Sequence, residues 1–403
     1  SMAEINEVVV VGMARTPIGR YLGGLASVRA NDLAIIAANA AIERAGVDPG
    51  IIDEIVGATC LHAGNGSLPP RIIGMKVGLP VRSGSCMVSQ NCASGMRATE
   101  IACQNIMLGK TDISLVTAVE SMSNIPYLLQ QARSGYRMGD GKVQDAMLSD
   151  GLVCQLAGGH MGMTAENIAE KYGITREECD ALALTSHQNA VKAVDEGIFD
   201  REIVPVVIKS KKGDKVISKD EHPIRGASLE TMAKLPPAFK KGGVVTAANA
   251  SGINDCAAAA VFMSKKKCEE LGLKPLMKLV GICSEGVDAK VMGLGPAVAM
   301  PKVLKQAGWK YEDVDYWEVN EAFAAQVLGV VRMLKEEAGI ELDFSKTNHN
   351  GSGIGLGHPV GATGLRIIVS MYYELERLGL TKGGASLCVG GGSAMASLWT
   401  RDI

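Results

Sequence analysis

Aromatic residues are scarce in this chain: five Phe, eight Tyr and three Trp make up 4% of 403 residues. The core must therefore be built from Ala, Val, Ile, Leu, Gly and Met, as in an α/β protein with buried strands. An excess of charge of either sign is lacking too, since the formal net charge is −2. That argues against a nucleic-acid partner but leaves room for a local basic patch facing a phosphorylated ligand. No run of 18 apolar residues occurs, so no membrane span is indicated. No secretory signal is read either: VVVVG in the opening SMAEINEVVVVGMARTP reads as a first strand, and a cytoplasmic location is expected. The ten cysteines form no Cys-x-x-Cys pair, which makes a disulfide framework unexpected. No Cys/His grouping has zinc-ligand spacing, so no metal is expected. Most of the cysteines are expected to be buried, inert thiols.

A repeat is present. Residues 41–60, AIERAGVDPGIIDEIVGATC, parallel residues 303–322, VLKQAGWKYEDVDYWEVNEA. In both, a helix ends at a glycine, Gly46 or Gly308, and a short polar link leads into a strand. A second pair follows. SGMRATEIACQNIMLG from Ser94 and TGLRIIVSMYYELERLG from Thr363 are helices that each run into a strand with Ser-Leu near its start. Alternating strands and helices favour βαβ units and a mostly parallel sheet in each half. Neither repeat helix has a clean polar face, so both are expected to be buried on most sides and to pack together between two sheets.

Residues 122–245 look different: two polar helices and a Lys- and Gly-rich stretch read as an insertion in the first half, a lid or ligand-binding subdomain. The expected division is 1–121 with 246–274, then 122–245 inserted, then 275–403. A length of 403 residues already argues for more than one core.

Four places carry chemistry. Cys92, in VSQNCASG, precedes the first repeat helix, whose free N–H groups and dipole favour a thiolate; a packed structural Cys fits the local sequence equally well. His358 lies in NHNGSGIGLGHPVGATGLR, a glycine-rich turn stiffened by Pro359 that opens the second repeat helix, which suits a base. Cys388 ends a strand in LCVGGGSAMA, and the N–H groups of its glycines can form an oxyanion hole. Asn320 and Glu321 lie at a strand-to-helix junction; Asn320 reads as a helix N-cap or as a holder of a water or carbonyl.

Taken in this order, SQNCASG, NEAFA, GHPVG and CVGGG resemble the motifs of the thiolase family over essentially the whole chain. ESMS at 120–123, HMGMTAEN at 160–167 and NASGIND at 249–255 fit as well. The resemblance implies two duplicated βαβαβαββ halves in a five-layer αβαβα stack with an inserted loop domain, assembled as a homodimer or homotetramer. It implies an acyl-CoA C-acyltransferase in fatty acid metabolism, joining two acetyl-CoA by a reversible Claisen condensation. The alternative is a degradative 3-ketoacyl-CoA thiolase of longer chain length. Coenzyme A enters as part of the substrate, and no separate cofactor is expected. By the same resemblance Cys92 is acylated, His358 takes its proton, and Cys388 moves the Cα proton of the second acetyl-CoA. One oxyanion site is His358 with a water on Asn320; the other is the N–H of Cys92 with that of Gly390. Expected CoA contacts are Ser251, Ala247, Phe239, Leu152, His160 and Met161.

Two departures stand out. In EHPIRG, Ile224 follows His-Pro where the family often has Arg, which leaves Arg225 for a CoA phosphate. GLVCQLAGGHMG has no aromatic residue, and Cys154 stands where a polar residue is usual; the smaller bulk either admits an acyl group larger than acetyl or only loosens the loop. A related condensing enzyme, such as a ketoacyl-carrier-protein synthase, lacks the Cys388 motif. A non-catalytic CoA-binding role does not fit an intact set of Cys92, Asn320, His358 and Cys388.

Overall fold

The computed structural model describes residues 4–403. Its first strand, β1 (Val8–Arg15), shows how the sequence builds layers. Val8, Val10 and Met13 enter one buried cluster, and Val9, Val11 and Ala14 enter another. The alternation slips by one because a bulge shifts the register between Val10 and Gly12. Gly12 needs to be glycine, since a Cβ there would lie 2.4 Å from the Ala41 carbonyl oxygen of the covering helix.

The first half continues through α1 (Ala30–Ala45), β2 (Glu54–Ala58), α2 (Pro69–Lys76), β3 (Gly84–Val88), α3 (Ser94–Met107) and β4 (Ile113–Ser121). Helices α4 (Met161–Tyr172) and α5 (Arg176–Asp195) follow before β5 (Asn254–Ser264) returns beside β4. The second half comprises β6 (Met277–Gly286), α6 (Pro296–Ala307), β7 (Tyr316–Val319), α7 (Ala324–Met333), α8 (Val360–Leu378), β8 (Lys382–Cys388) and β9 (Ser393–Thr400). The strand order is β3-β2-β4-β5-β1 in the first half and β7-β8-β9-β6 in the second. A single parallel bridge, Trp317 with Thr347, stands beside β7 where β3 stands beside β2. Four strands of each half therefore correspond in order and pairing, and the bridge takes the place of the fifth.

The expectation of a mostly parallel sheet is corrected. Only β2–β3, β2–β4 and β7–β8 pair in parallel; β4–β5, β5–β1, β8–β9 and β9–β6 are antiparallel. The reason is connectivity. β8 and β9 are joined by the tight turn Val389–Gly392, and a turn that short allows only antiparallel pairing. The sheets of the two halves meet where β1 pairs with β6 through Val9–Lys278 and Val10–Met277.

Five layers result. Helices α1 and α2 cover the outer face of the first sheet, α6 covers the outer face of the second, and α3 and α8 lie together between the sheets. Every residue of α8 from Val360 to Tyr372 is buried. The central helices touch backbone to backbone: a Cβ on Gly95 would lie 2.5 Å from the Leu365 nitrogen, and one on Gly364 equally close to the Met96 nitrogen. Gly46 and Gly308 both end their helices in the left-handed conformation, as the repeat predicts. Among the described residues no helix is long and apolar enough to cross a membrane. Most cysteines are buried; Cys86, exposed on the outer strand β3, and the half-buried Cys60 depart from that expectation.

Candidate active site

Cys92 closes a tight turn. Asn91 adopts the left-handed conformation at φ +47°, which Asn tolerates better than most residues. The Ser94 hydroxyl accepts from the Gln90 N–H at 2.8 Å and donates to the Asn91 carbonyl at 2.7 Å, bracing the start of α3. Two side chains tie this turn to the β8–β9 turn of the other half. Asn91 Nδ2 donates to the Gly390 carbonyl at 2.9 Å, and Gln90 Nε2 to Ser393 Oγ at 3.2 Å. Burial pushes the Cys92 thiol up to about 11, against the pull of hydrogen bonds from the Gly390 and Cys92 backbone. The N–H groups at the helix start are therefore present, but desolvation outweighs them, and the resting group is a thiol and not the thiolate the sequence favoured.

His358 faces it: Nε2 lies 3.3 Å from Cys92 Sγ. The tautomer follows from the other ring nitrogen. The Thr363 hydroxyl donates to the Pro359 carbonyl at 3.2 Å, so it accepts from His358 Nδ1–H at 2.7 Å and leaves Nε2 bare. Burial, with the Arg366 charge adding, lowers the His358 pKa to about 3. The pair is thus a neutral thiol beside a neutral imidazole able to take its proton. The His358 N–H donates to Asn254 Oδ1 at 2.9 Å, which orients the residue from behind.

Cys388, at the end of β8, is also buried. Burial raises its pKa strongly, and Cys92 is close enough to raise it further. Gly390 lies against Met161: a Cβ there would fall 2.1 Å from Met161 Cε. Asn320 directly follows the strand β7 and is fully buried; its backbone N–H donates to the Ser386 carbonyl at 3.0 Å. Its Nδ2 has no protein hydrogen-bond partner among the described residues, so this donor is free for a ligand. The N-cap reading of Asn320 does not hold, because α7 begins only at Ala324.

Cys92 and His358 share a cavity of about 500 Å³. Its wall includes Ser251, Ala247, Phe239, Leu152, His160 and Met161, all of the predicted contacts but one. Phe239 stacks on His160 with ring centroids 4.3 Å apart, over Gly162, whose missing Cβ would strike the Phe239 ring. Cys388, Asn320 and Gly390 are not on this wall; Gly390 faces an adjoining cavity beyond Met161, lined also by Asn91 and Cys154. Arg225 is not on this wall either: it is exposed and paired with Asp195, at the end of α5, at 2.7 and 2.9 Å. Among the described residues, Arg20 is the basic side chain on the cavity wall.

Sequence reading missed Arg20, Thr363, Asn254, His222 and Glu120 as parts of the site. Glu120 accepts from Thr59 Oγ1 and from the Cys60, Leu61 and Gly361 N–H groups, joining the end of β4 to the first turn of α8. A polar residue inside an otherwise apolar strand, as in VTAVES and NASGINDCAAAA, was the available signal. No three His, Cys, Asp or Glu side chains come together as a metal site among the described residues.

Comparison with known proteins agrees with this geometry. Residues 8–266 match the family described as thiolase, N-terminal domain, and residues 273–401 match thiolase, C-terminal domain. The chain is 47% identical to an acetyl-CoA acetyltransferase of Syntrophomonas wolfei, over 97% of this chain and 98% of that one. Among solved structures, an acetyl-CoA acetyltransferase from Syntrophomonas wolfei is 99% identical, with a TM-score of 0.98 over 99% of this chain and all (100%) of that one. Human mitochondrial 3-ketoacyl-CoA thiolase is 39% identical, with a TM-score of 0.94 over 99% of this chain and 100% of that one.

Proposed function

The chain belongs to the thiolase family, and from that premise we propose that it is an acetyl-CoA acetyltransferase, joining two acetyl-CoA to acetoacetyl-CoA and CoA and catalysing the reverse thiolysis. The observation that carries the reading is the 3.3 Å contact between Cys92 and a His358 whose Nε2 is held bare, on the wall of a largely apolar cavity.

The chemistry follows from the groups present. Cys92 Sγ attacks the thioester carbonyl while His358 Nε2 takes the thiol proton and returns it to the leaving CoA sulfur. The acyl-cysteine conserves thioester energy. Cys388 then takes the proton at Cα of a second acetyl-CoA and passes its own thiol proton to the departing Cys92 sulfur, so that attack of the enolate carbon on the acyl-cysteine releases Cys92 as a thiol. The enolate oxygen accepts from a water on Asn320 Nδ2 and from His358 when Nε2 carries the proton, and the acyl oxygen accepts from the N–H groups of Cys92 and Gly390. Leu152, Met161, Phe239 and Ala247 cover the pantetheine, and His160 and Ser251 supply polar contacts to it. Both reaction partners are CoA thioesters, so the cycle needs no separate cofactor.

We also assign 1–121 with 246–274 and 275–403 as the two halves and 122–245 as the insertion. The pairing of β4 with β5 across that stretch supports this. A homodimer or homotetramer in the cytoplasm completes the reading. The exposed apolar side chains Tyr127, Leu129, Tyr136, Met138 and Val143 suit burial between subunits, and light scattering in solution tests it.

The deciding assay is thiolysis of acetoacetyl-CoA and of longer 3-ketoacyl-CoAs, followed by loss of ketoacyl thioester absorbance. Turnover fastest at acetoacetyl-CoA is expected. A maximum at longer chains favours the degradative alternative, and no turnover at any length sinks the enzyme reading. Acetyl-CoA alone adds one acetyl group, seen by intact mass and absent in Cys92→Ser. Deuterium exchange at Cα of acetyl-CoA disappears in Cys388→Ala.

A further inference from the structure

Three consecutive side chains of the inserted stretch point into the protein, and the reaction as described uses none of them. Asp220 is buried: its carboxylate accepts from Arg15 at 2.8 and 3.0 Å and from the Ile18 N–H at 2.8 Å. Glu221 accepts from the Gly24 N–H at 3.1 Å, and its own N–H donates to the Ile18 carbonyl at 3.0 Å. His222 reaches furthest. Its Nε2 lies 2.9 Å from the Ile354 carbonyl oxygen and its Nδ1 lies 3.4 Å from Asn254 Nδ2.

These partners determine the proton positions. A carbonyl oxygen only accepts, so His222 Nε2 carries the hydrogen and Nδ1 is a bare acceptor. Burial keeps the ring neutral, lowering its pKa to about 4. Asn254 Nδ2 gives one hydrogen to the Gly19 carbonyl at 3.0 Å and the other to His222; its Oδ1 accepts the His358 N–H at 2.9 Å. The fit is tight on both sides. A Cβ on Gly252 would lie 2.2 Å from His222 Cε1, and one on Gly357 2.8 Å from Asn254 Cγ.

We propose that His222 is a positioning residue for the Cys92–His358 pair: by accepting the second amide hydrogen of Asn254 it locks that carboxamide, which in turn holds the His358 backbone so that Nε2 faces Cys92. The docked Asp220-Glu221-His222 stretch thereby makes the aim of the base depend on the inserted segment. The inference rests on Cys92 and His358 being the reacting pair. Its rival is a direct substrate contact, because His222 also lies on the cavity wall.

Two substitutions separate these roles. His222→Asn keeps an acceptor near the position of Nδ1, and His222→Gln keeps a donor near that of Nε2. In the Gln variant, kcat for acetoacetyl-CoA thiolysis is expected to fall tenfold or more with KM within twofold. Alkylation of Cys92 by iodoacetamide at pH 7.5 slows by a similar factor, and the Asn variant recovers most of both losses. Asn254→Asp keeps the acceptor for the His358 N–H but removes the hydrogen given to His222, and it reproduces the Gln variant's loss. A raised KM with intact kcat assigns His222 to the substrate and overturns the proposal. So do equal effects of Asn and Gln, a better Gln variant, or full kcat in Asn254→Asp. Alkylation needs no CoA substrate, so a wild-type chain that fails on acetoacetyl-CoA defeats the proposed activity, while the alkylation series still tests His222.

Discussion

Asn320 is a buried carboxamide whose Nδ2 has no acceptor among the described residues. A buried donor without a partner costs a fold about 1–3 kcal/mol, so its presence is better explained by what it does for a bound oxygen. Asn320→Ala is accordingly expected to lower kcat by about two to three orders of magnitude, the scale of one oxyanion donor. The melting temperature should stay level or rise, because the orphan group is gone. Kinetics and thermal unfolding on one preparation check this; an active variant, or an inactive one that is also unstable, counts against it. The Cys92–His358 pair obeys the same physics in reverse. Cys92 at about 11 and His358 at about 3 are both neutral at rest, since burial penalises either charge. Charge therefore appears there only with a substrate whose own developing charge stabilises it.

The two central helices set where those residues meet. Each begins beside one member of the pair, Cys92 before α3 and His358 before α8, and their crossing allows no Cβ at Gly95 or Gly364. Gly364→Ala places a methyl group 2.5 Å from the Met96 nitrogen, and backbone yields less readily than the end of a side chain. A loss of about 1–3 kcal/mol is expected from such overpacking. Because the same shift separates Cys92 from His358, kcat falls as well. Thermal unfolding together with thiolysis rates measures both; an unchanged melting temperature would show that the helices are not held at this distance by glycine.

Across the whole molecule, one buried charge network links parts that are far apart in sequence. Arg15 on β1 bonds Glu202 at 2.7 Å and Asp220, both in the stretch between α5 and β5, and Ser370 on α8 donates to Glu202 at 2.7 Å. Burial disfavours the Arg15 charge, but Asp220 and Glu202 more than offset this and hold its pKa above the usual value. Removing one partner from such a network leaves charges buried and unpaired. Arg15→Leu is expected to destabilise the fold by about 3–5 kcal/mol. Denaturant unfolding gives the number, and a loss below about 1 kcal/mol would mean water replaces the guanidinium.

The sequence by itself determined the duplication, the helix ends at Gly46 and Gly308, the buried pair of central helices, and the four motifs that hold Cys92, Asn320, His358 and Cys388. All of these are local: period, cap and turn chemistry are written within a few residues of where they act. Tertiary structure alone decided three things. Strand direction came out mixed because pairing between β4 and β5 or β9 and β6 joins segments that no local pattern relates. Arg225 went to Asp195 because side-chain partners depend on distance in space. Cys92 became a thiol and not a thiolate because its charge state is a balance between helix-start N–H groups, which the sequence displays, and desolvation, which exists only after both halves close around it.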